Sequence, residues 1–491
     1  MDNLISAFNW VLSTLEGLLW THLLVYLLVG TGFYFTVRLG FIQLRRLGHA
    51  VTVLKSGTDL ASGISSWQVF CTSMAARVGT GNMAGVAVAI TTGGPGAIFW
   101  MWAIALLGMA TAFVESTLAQ LYKEKDDNGQ YRGGPAYYME KGLGLRWMGS
   151  LFSVFLIIAF GLVFNAVQAN TITDALSHSF GMNEWVLGVI LVITSGLCIM
   201  GGIKRVAQAS SKIVPVMALG YLAISLVVVL MNLSRLPEVL QLIINSAFGW
   251  HEAAAGGLGF TVAQAMRAGI ARGLFSNEAG MGSAANIAAS ATPTPNHPAS
   301  QGFVQMLGVF ADTIIICTAS AAIVLVSGVL DAATVPEGGI AIVQTALTNE
   351  MGNWASYFIA VAIILFCFSS IIANYSYAET NIMFLTDNKR SLPIFRLAVM
   401  AMVMFGSVAK IKVVWQMADV SMGLMATINI IAMLALSGLA IRVIKDYEEQ
   451  YKAGKTPIFD PNKFPELDEL ETWHEELAKE KAAKKAAAMA R

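Results

Sequence analysis

Long apolar stretches with very few charges dominate the sequence and restrict the folds open to it. Hydrophobic residues make up 56% of the 491 residues and charged residues 13%, whereas a typical soluble domain carries about 25% charged residues. Mean hydropathy is +0.63. A lipid bilayer is the solvent that accepts such a chain. The composition excludes a soluble globular or disordered protein, and the net charge of zero offers no basic surface for nucleic acid.

Eleven stretches approach or exceed the roughly 20 apolar residues that a spanning helix needs. Basic residues are concentrated in the loops on one side of these spans and are sparse on the other side, which holds Arg235, Lys410 and Lys412. Because basic residues collect on the cytoplasmic side, we predict a multi-pass protein of the cell (inner) membrane with its N-terminus outside and its C-terminus inside. The predicted spans lie at approximately 18–37, 64–92, 96–121, 147–177, 184–203, 213–232, 258–291, 302–328, 354–386, 392–409 and 413–441.

The second predicted span contains a polar, glycine-rich run, "CTSMAARVGTGNMAGVAVAI", at residues 71–90. Gly79 and Gly81 flank Thr80, and Asn82 follows. Glycine weakens a helix interior, so this run predicts an unwound turn whose freed backbone groups need partners in the bilayer. An anionic carboxylate and a cation are suitable partners. Close helix packing by small residues is the alternative explanation.

The seventh predicted span is interrupted in a similar way, by "ARGLFSNEAGMGSA". It carries Arg267, Arg272 and Glu278, and such charges are too costly to face lipid. They must line a cavity or pair with one another, and we expect Glu278 to pair with Arg272 or Arg77. A purely structural ion pair is the alternative.

The two interrupted spans are five apart in the chain order. Each therefore opens a five-helix unit, and because five is odd the second unit enters the membrane from the opposite face. This arrangement is typical of an inverted repeat with discontinuous helices at a midplane binding site. We predict an all-α integral membrane protein with an extra helix and interfacial segment at 1–60, repeats at 61–235 and 236–444, and a charged tail at 445–491.

Polar residues in two further spans suggest ligands for the same site. In the ninth span, Ser369, Ser370 and Asn374 lie in "FCFSSIIANYSYAETNIMFL", and Asn374 shares a helix face with Ser370. Serine hydroxyls suit a small alkali cation, although in membranes they commonly bond to their own helix. In the fourth span Phe164 and Gln168 share a face, and the glutamine needs a partner inside the bundle.

Several other features leave alternatives open. The intramembrane carboxylates of Glu115, Asp312 and Asp419 are either proton relays or structural partners. The pattern of residues 338–352 predicts either a gate or cap helix or a solvated connector. The pattern of residues 38–60 predicts an interfacial helix. The tail pattern "FPELDELETWHEELAKEKAAKKAAAMAR" predicts a solvated or frayed helix. The cysteines are far apart in apolar runs and indicate buried thiols rather than disulfides or a zinc site.

Four blocks of the sequence resemble those of the alanine or glycine:cation symporter family: "ARVGTGNMAGVAVA", "YRGGPAYYME", "GLFSNEAGMGSA" and "FSSIIANYSYAE". The resemblance extends to about residue 445. It implies a LeuT-type fold, in which a 5+5 inverted repeat follows one extra helix, and eleven transmembrane helices in all.

The resemblance also implies roles for individual residues. The amides of Thr80 and Gly81 would receive the substrate carboxylate, with Gln168 helping to fix it, and Asn82 would hold the unwound segment or reach the amino group. A sodium ion would bind the carbonyls of Ala75 and Val78 and the hydroxyls of Ser369 and Ser370. Residues of the second interruption would close the pocket: Phe275, Ser276 and Asn277. Glu278 would be structural.

The chain departs from the family's run "STILGWSYYGE" in the ninth span. Asn374 stands where that run has tryptophan, which changes the pocket wall and leaves the preferred substrate size open. The implied function is sodium-coupled symport of a small neutral amino acid, alanine or glycine, into the cell, with no enzymatic activity. The alternatives are a proton-coupled permease using Glu115 or Asp312, an ion channel and an amino-acid sensor. The sequence does not indicate an oligomeric partner.

Overall fold

The computed structural model describes residues 2–56, 63–126, 129–200, 202–249, 261–331, 339–386, 390–467 and 470–489. These residues form helices and one two-stranded antiparallel hairpin, β1 (Glu124–Lys125) and β2 (Tyr131–Arg132). The helices are α1 (Asp2–Leu18), α2 (Val25–Arg38), α3 (Ile42–Arg45), α4 (Leu47–Ser56), α5 (Ser66–Arg77), α6 (Ala84–Gly93), α7 (Ala97–Leu121), α8 (Pro135–Leu143), α9 (Arg146–Leu156), α10 (Phe164–Phe180), α11 (Glu184–Ile199), α12 (Gly202–Met231), α13 (Leu236–Ala247), α14 (Val262–Asn277), α15 (Ser283–Ala289), α16 (Ala299–Val309), α17 (Thr318–Val326), α18 (Gly339–Met351), α19 (Trp354–Leu385), α20 (Ser391–Val408), α21 (Ile411–Ala435), α22 (Ser437–Lys452) and α23 (Glu471–Met489).

The predicted all-helical membrane class is confirmed. Within the described residues, eight helical segments are long and apolar enough to cross a bilayer. Three of them join two α-helices through a π-helical stretch, at Leu19–Leu24, Ile157–Val163 and Phe310–Cys317. The eight segments are Asn9–Arg38, Ala97–Leu121, Arg146–Phe180, Val206–Met231, Ala299–Val326, Trp354–Leu385, Ser391–Val408 and Ile411–Ala435.

Both predicted interruptions are present. The helix α5 ends at Arg77, a short 3₁₀ turn spans Thr80–Asn82, and α6 begins at Ala84. In the second interruption α14 ends at Asn277 and α15 begins at Ser283. Two glycines between them, Gly280 and Gly282, have φ of 92° and 81°, a left-handed conformation that disfavours other residues. The two pairs of half-helices pack side by side, since α14 lies along α6 and α15 contacts α5.

The remaining spans surround the half-helices. The helix α7 packs along α14 and α16, and α10 packs along α19 and α20. The helix α18 lies against α6 and α19, and eight of its residues are buried, which supports a cap helix rather than a solvated connector. Residue 338 of that predicted element lies outside the described residues, as do residues 57–60 of the predicted interfacial helix, whose described part forms α3 and α4.

The charged tail packs against one face of the bundle, which we call the tail face. Trp473 is 1% exposed, and its Nε1 donates to the carbonyl oxygens of Gln120 and Leu121 at 3.2 and 3.0 Å. The Phe459 amide donates to the Asn296 carbonyl at 2.9 Å. The prediction of a solvated or frayed tail is therefore wrong for this part, because Trp473 anchors the tail to the end of α7 and Phe459 anchors it to the loop before α16.

Candidate functional site

The first interruption is held open by one side chain from α10 and by one within the turn itself. The Gln168 side chain on α10 accepts, through Oε1, the Thr80 amide at 3.1 Å and the Thr80 hydroxyl at 2.9 Å. Within the turn, Asn82 Oδ1 accepts the Gly79 amide at 3.0 Å. Backbone groups that a continuous helix would have paired internally are thus bonded to polar side chains, as a low-dielectric interior requires.

Gly79 allows this close approach. A Cβ atom on Gly79 would lie 2.5 Å from Ser370 Oγ and 2.7 Å from Gln168 Oε1, closer than real Cβ contacts. A side chain at position 79 would therefore displace the side chains of Ser370 and Gln168 from the unwound turn.

Three of the four predicted sodium ligands lie together. Ser370 Oγ lies 2.8 Å from the Ala75 carbonyl oxygen and 3.5 Å from that of Val78. Ser370 also donates to the Phe366 carbonyl of its own helix at 3.0 Å. The Ser369 hydroxyl points elsewhere: it bonds to the Phe366 carbonyl at 2.9 Å and faces Met217 Sδ. Helix geometry explains the difference, since consecutive residues of a helix do not share a face.

Asp312 connects the two interruptions. Its Oδ1 accepts Asn82 Nδ2 at 2.7 Å and its Oδ2 accepts the Ser276 hydroxyl at 2.6 Å. Asn82 Nδ2 also lies 3.1 Å from Ser276 Oγ. The sequence indicated Asp312 only as a carboxylate within an apolar span, and nothing in that signal placed it between the half-helices.

Aromatic rings form one wall of the region between the interruptions. The Phe275 ring lies 4.6 Å from that of Phe164 and 4.8 Å from that of Trp415, measured between centroids. A Cβ on Gly81 would lie 3.0 Å from the Phe275 ring, so the two interruptions meet at this wall. Sequence reasoning missed Trp415, because an aromatic residue inside a spanning helix carries no distinguishing signal.

A cavity of about 1130 Å³ opens on the face opposite the tail, which we call the vestibule face. Trp415, Arg272 and Asp419 are among the residues that line it. The Arg272 guanidinium contacts the Asp419 carboxylate and lies 4.5 Å from the centroid of the Trp415 ring. Trp415 therefore contacts both this ion pair and Phe275 of the second interruption.

The N-terminal segment also bonds to residues that line the vestibule. Trp20 Nε1 donates to the Asp419 carbonyl at 3.1 Å. Glu16 accepts Arg267 of α14 at 3.0 Å and Gln416 of α21 at 3.3 Å through its two carboxylate oxygens. The extra helix therefore bonds to both sides of the vestibule wall.

The expected pairing of Glu278 with Arg272 is wrong. Arg272 is engaged by Asp419, while Glu278, in a left-handed conformation at φ 59°, accepts the Ser283 hydroxyl at 2.6 Å. Among the described residues, no ion pair links Glu278 to Arg77. The left-handed turn directs the Glu278 carboxylate back to the start of α15, away from α14.

The other carboxylate near this turn and two predicted pocket residues have well-defined partners. Glu115 Oε2 accepts the Gly282 amide and Asn429 Nδ2, each at 3.1 Å. Asn277 Oδ1 accepts the Ala279 amide at 3.0 Å, so this residue shapes the turn itself. Asn374 Nδ2 donates to Asn165 Oδ1 of α10 at 3.2 Å.

Comparison with known proteins yields a consistent set of similarities. A sequence profile described as the sodium:alanine symporter family matches residues 5–461. The probable sodium/glutamine symporter GlnT of Bacillus subtilis is 50% identical over 461 residues, covering 93% of this chain and 94% of that protein. The sodium/alanine symporter AgcS of Methanococcus maripaludis is 36% identical over 447 residues, covering 89% and 97%.

Among solved structures, the chain is similar to a substrate-bound, outward-open Na⁺-coupled sialic acid symporter. The TM-score is 0.51 at 14% sequence identity, over 88% of this chain and 92% of that one. At this identity the likeness concerns the fold.

Proposed function

The chain belongs to the sodium:alanine symporter family, a family of membrane transporters that couple amino-acid transport to sodium, and we propose that it carries a small neutral amino acid into the cell. The observation that supports this proposal most directly is the pair of adjoining interruptions, which present backbone groups next to serine hydroxyls at the middle of the bundle.

We propose eleven membrane crossings arranged as a 5+5 inverted repeat after one extra helix. The eight unbroken spans, the two interrupted segments and the shorter apolar helix α11 together make eleven. The repeats would occupy 61–235 and 236–444. The tail face would be cytoplasmic and the vestibule face external, in keeping with the distribution of basic residues.

In this proposal the substrate carboxylate binds the amides of Thr80 and Gly81. Gln168 Oε1 bonds to the amide and hydroxyl of Thr80. A carboxylate oxygen is an equivalent but stronger acceptor, so it would share these donors or replace the glutamine oxygen. Asn82 and Ser276 would lie near the amino group, Asn277 would keep the turn in shape, and Phe275 would face the substrate side chain.

Sodium would bind between α5 and α19. The carbonyl oxygens of Ala75 and Val78 and the hydroxyl of Ser370 are hard oxygen ligands gathered at one point, which suits an alkali cation. Ser369 is not included, because its hydroxyl faces Met217 Sδ. Bound sodium would favour one arrangement of the half-helices, and an amino acid that prefers the same arrangement would then bind more tightly.

The test is uptake of radiolabelled alanine, glycine and glutamine into proteoliposomes, driven by an inward sodium gradient. Uptake should require sodium, and Ser370→Ala should raise the sodium concentration for half-maximal uptake at least tenfold. Ser376→Ala, on the same helix with its hydroxyl bonded to the Ala373 carbonyl, is the matched control and should not change it. Uptake that is equally fast without sodium would refute the mechanism.

A proton-coupled permease is the second candidate, because Asp312 bonds directly to Asn82 and Ser276 at the proposed substrate site. Under this alternative an inward proton gradient would drive uptake in the absence of sodium. Asp312→Asn, which keeps the size of the side chain but removes the titratable group, would abolish that uptake.

A further inference from the structure

We propose that Asn374 recognises the end of the substrate side chain, and that the preferred substrates carry a hydrogen-bond donor there, as the carboxamides of glutamine and asparagine do. This inference rests on the proposed function and specifies its substrate class. It is argued from the position of Asn374, its hydrogen bonds and its distance from the unwound turn.

Asn374 lies one helical turn beyond the proposed sodium site. It follows Ser370 by four residues on α19, so the two side chains share a face of that helix. On the facing helix α10, Asn165 precedes Gln168 by three residues and also shares its face. The bond between Asn374 and Asn165 therefore forms a second polar level next to the Gln168 and Ser370 level, on its side towards the tail face.

The hydrogen bonds fix which atom of Asn374 is available. Asn165 uses its Nδ2 to donate to the Gly161 carbonyl at 3.0 Å, so its Oδ1 remains as acceptor. Asn374 must then present Nδ2 to that oxygen, at 3.2 Å, which leaves its own Oδ1 facing away from Asn165. Among the described residues, no donor bonds to Asn374 Oδ1, although the side chain is only 1% exposed.

Asn374 Oδ1 is one of several buried polar atoms that have no partner among the described residues, and its place next to the proposed sodium site calls for an explanation. At the boundary of a substrate site, a ligand that brings the donor is the explanation with a function. A carboxamide N–H supplies that donor, whereas a thioether or a hydrocarbon side chain does not. The asparagine would then discriminate strongly, because a site built to bond a polar group is left unsatisfied by an apolar ligand of the same size.

The distance also fits a side chain longer than that of alanine. One turn of helix is about 5.4 Å, which separates the Ser370 level from the Asn374 level along α19. A carboxylate held at Thr80 and Gly81 would place the α-carbon near the first level. The methyl group of alanine cannot cross to the second level, but the two methylenes and the amide of glutamine can.

The experiment measures sodium-driven uptake in proteoliposomes and compares glutamine with methionine, which is of similar length but has no donor. In the unaltered protein, unlabelled glutamine should inhibit uptake of labelled glutamine at least tenfold more potently than methionine does. Asn374→Leu, which keeps the volume and removes the acceptor, should reduce that ratio to within threefold of unity. Asn374→Ala should reduce it in the same way and cannot introduce a clash.

Ser376→Ala is the matched control, since its hydroxyl bonds within α19, and it should leave the ratio unchanged. A ratio near unity in the unaltered protein, or one that both Asn374 variants preserve, would overturn the inference. If labelled alanine enters with sodium and glutamine shows no advantage over methionine, the inference fails alone. If neither alanine nor glutamine uptake depends on sodium, the proposed function fails with it.

Discussion

At the scale of single residues, Gly79 lies directly against two polar side chains of the site. An added Cβ would lie 2.5 Å from Ser370 Oγ and 2.7 Å from Gln168 Oε1. We expect Gly79→Ala to displace both side chains, and therefore to weaken sodium and amino-acid affinity together, each at least tenfold. Equilibrium binding of labelled substrate across a sodium titration measures both quantities.

The matched control for this substitution is Gly220→Ala in α12, where an added Cβ meets nothing within 4 Å. That variant should bind like the unaltered protein and confirm that the effect is local. Loss of affinity for only one of the two ligands in Gly79→Ala would show that the sodium and substrate contacts are not coupled through this glycine.

Residue types in the sequence predicted part of the site and missed the rest. Serine and glutamine inside apolar spans were informative because their polar groups need partners there, and glycine because it weakens a helix. The same reasoning could not separate Ser370 from Ser369, since adjacent residues differ only in the direction they face. Trp415 and Asn165 lie at the site because helices that are distant in sequence pack together. A single sequence does not show which helices pack together.

At the scale of secondary structure elements, the Arg272–Asp419 ion pair joins α14 to α21 at the vestibule. We expect replacement of the Arg272–Asp419 ion pair by the neutral pair Arg272→Gln and Asp419→Asn to open this contact more often. The double substitution avoids leaving one charge buried alone, which is strongly destabilising. The reporter is Cys367, whose Sγ is buried at the first interruption, 3.2 Å from Thr80 Oγ1.

A membrane-impermeant thiol reagent applied from the vestibule face should label Cys367 at least fivefold faster in the double variant. The other three cysteines, Cys71, Cys198 and Cys317, are replaced by alanine in both proteins so that the signal comes from one thiol. The same background without Cys367 gives the blank. An unchanged labelling rate would show that Trp415 and Phe275 close the path without the ion pair.

The interruptions were predictable at this scale because both carry glycines and polar residues at matching places in the order of spans. The pairing of charges was not. Glu278 is close to Arg272 in sequence, yet Arg272 pairs with Asp419, which lies 147 positions away along the chain. The bracing by Trp20 and Glu16 was equally hidden, since it depends on where the extra helix packs.

At the scale of the whole molecule, hydropathy and loop charge predicted a helical membrane protein, because the bilayer imposes the same demand on every span. The same reasoning from composition gave the wrong prediction for the tail, which lies outside the bilayer. Its charge and alanine content describe a solvated helix, whereas its attachment depends on Trp473 and Phe459. The tail links the end of α21 to the end of α7 and to the loop before α16, which crosses from one part of the bundle to another.

Lys123 lies inside this attachment. Its Nζ is 4.0 Å from the centroid of the Tyr131 ring and 4.5 Å from that of Trp473. Burial of the ammonium lowers the pKa of Lys123 to about 7, and the nearby Lys125 and Lys479 act in the same direction, whereas Glu476 opposes it. The neighbouring contacts of the tail are Lys125 with Glu475 and the Tyr131 hydroxyl with Glu476.

Docking of the tail should therefore strengthen as pH rises. An undocked lysine has a pKa of about 10.4, so between pH 7 and 10 the undocked state binds more protons than the docked state. Each pH unit in that range should favour docking by up to about 1.4 kcal/mol, or tenfold. Below pH 7 both states are protonated, and the dependence should disappear.

The measurement is the distance distribution between spin labels at Ala478 and Leu145, recorded from pH 6 to 9 with the native cysteines replaced. The docked population should grow between pH 7 and 9.

Lys123→Met should hold the tail docked at every pH, because no ammonium is then buried. Lys125→Met, which removes the contact with Glu475 but leaves Lys123 buried, should reduce docking and keep a pH dependence. If Lys123→Met retains the full pH dependence, another group controls the tail, and Asp446 beside His297 would be the next to examine.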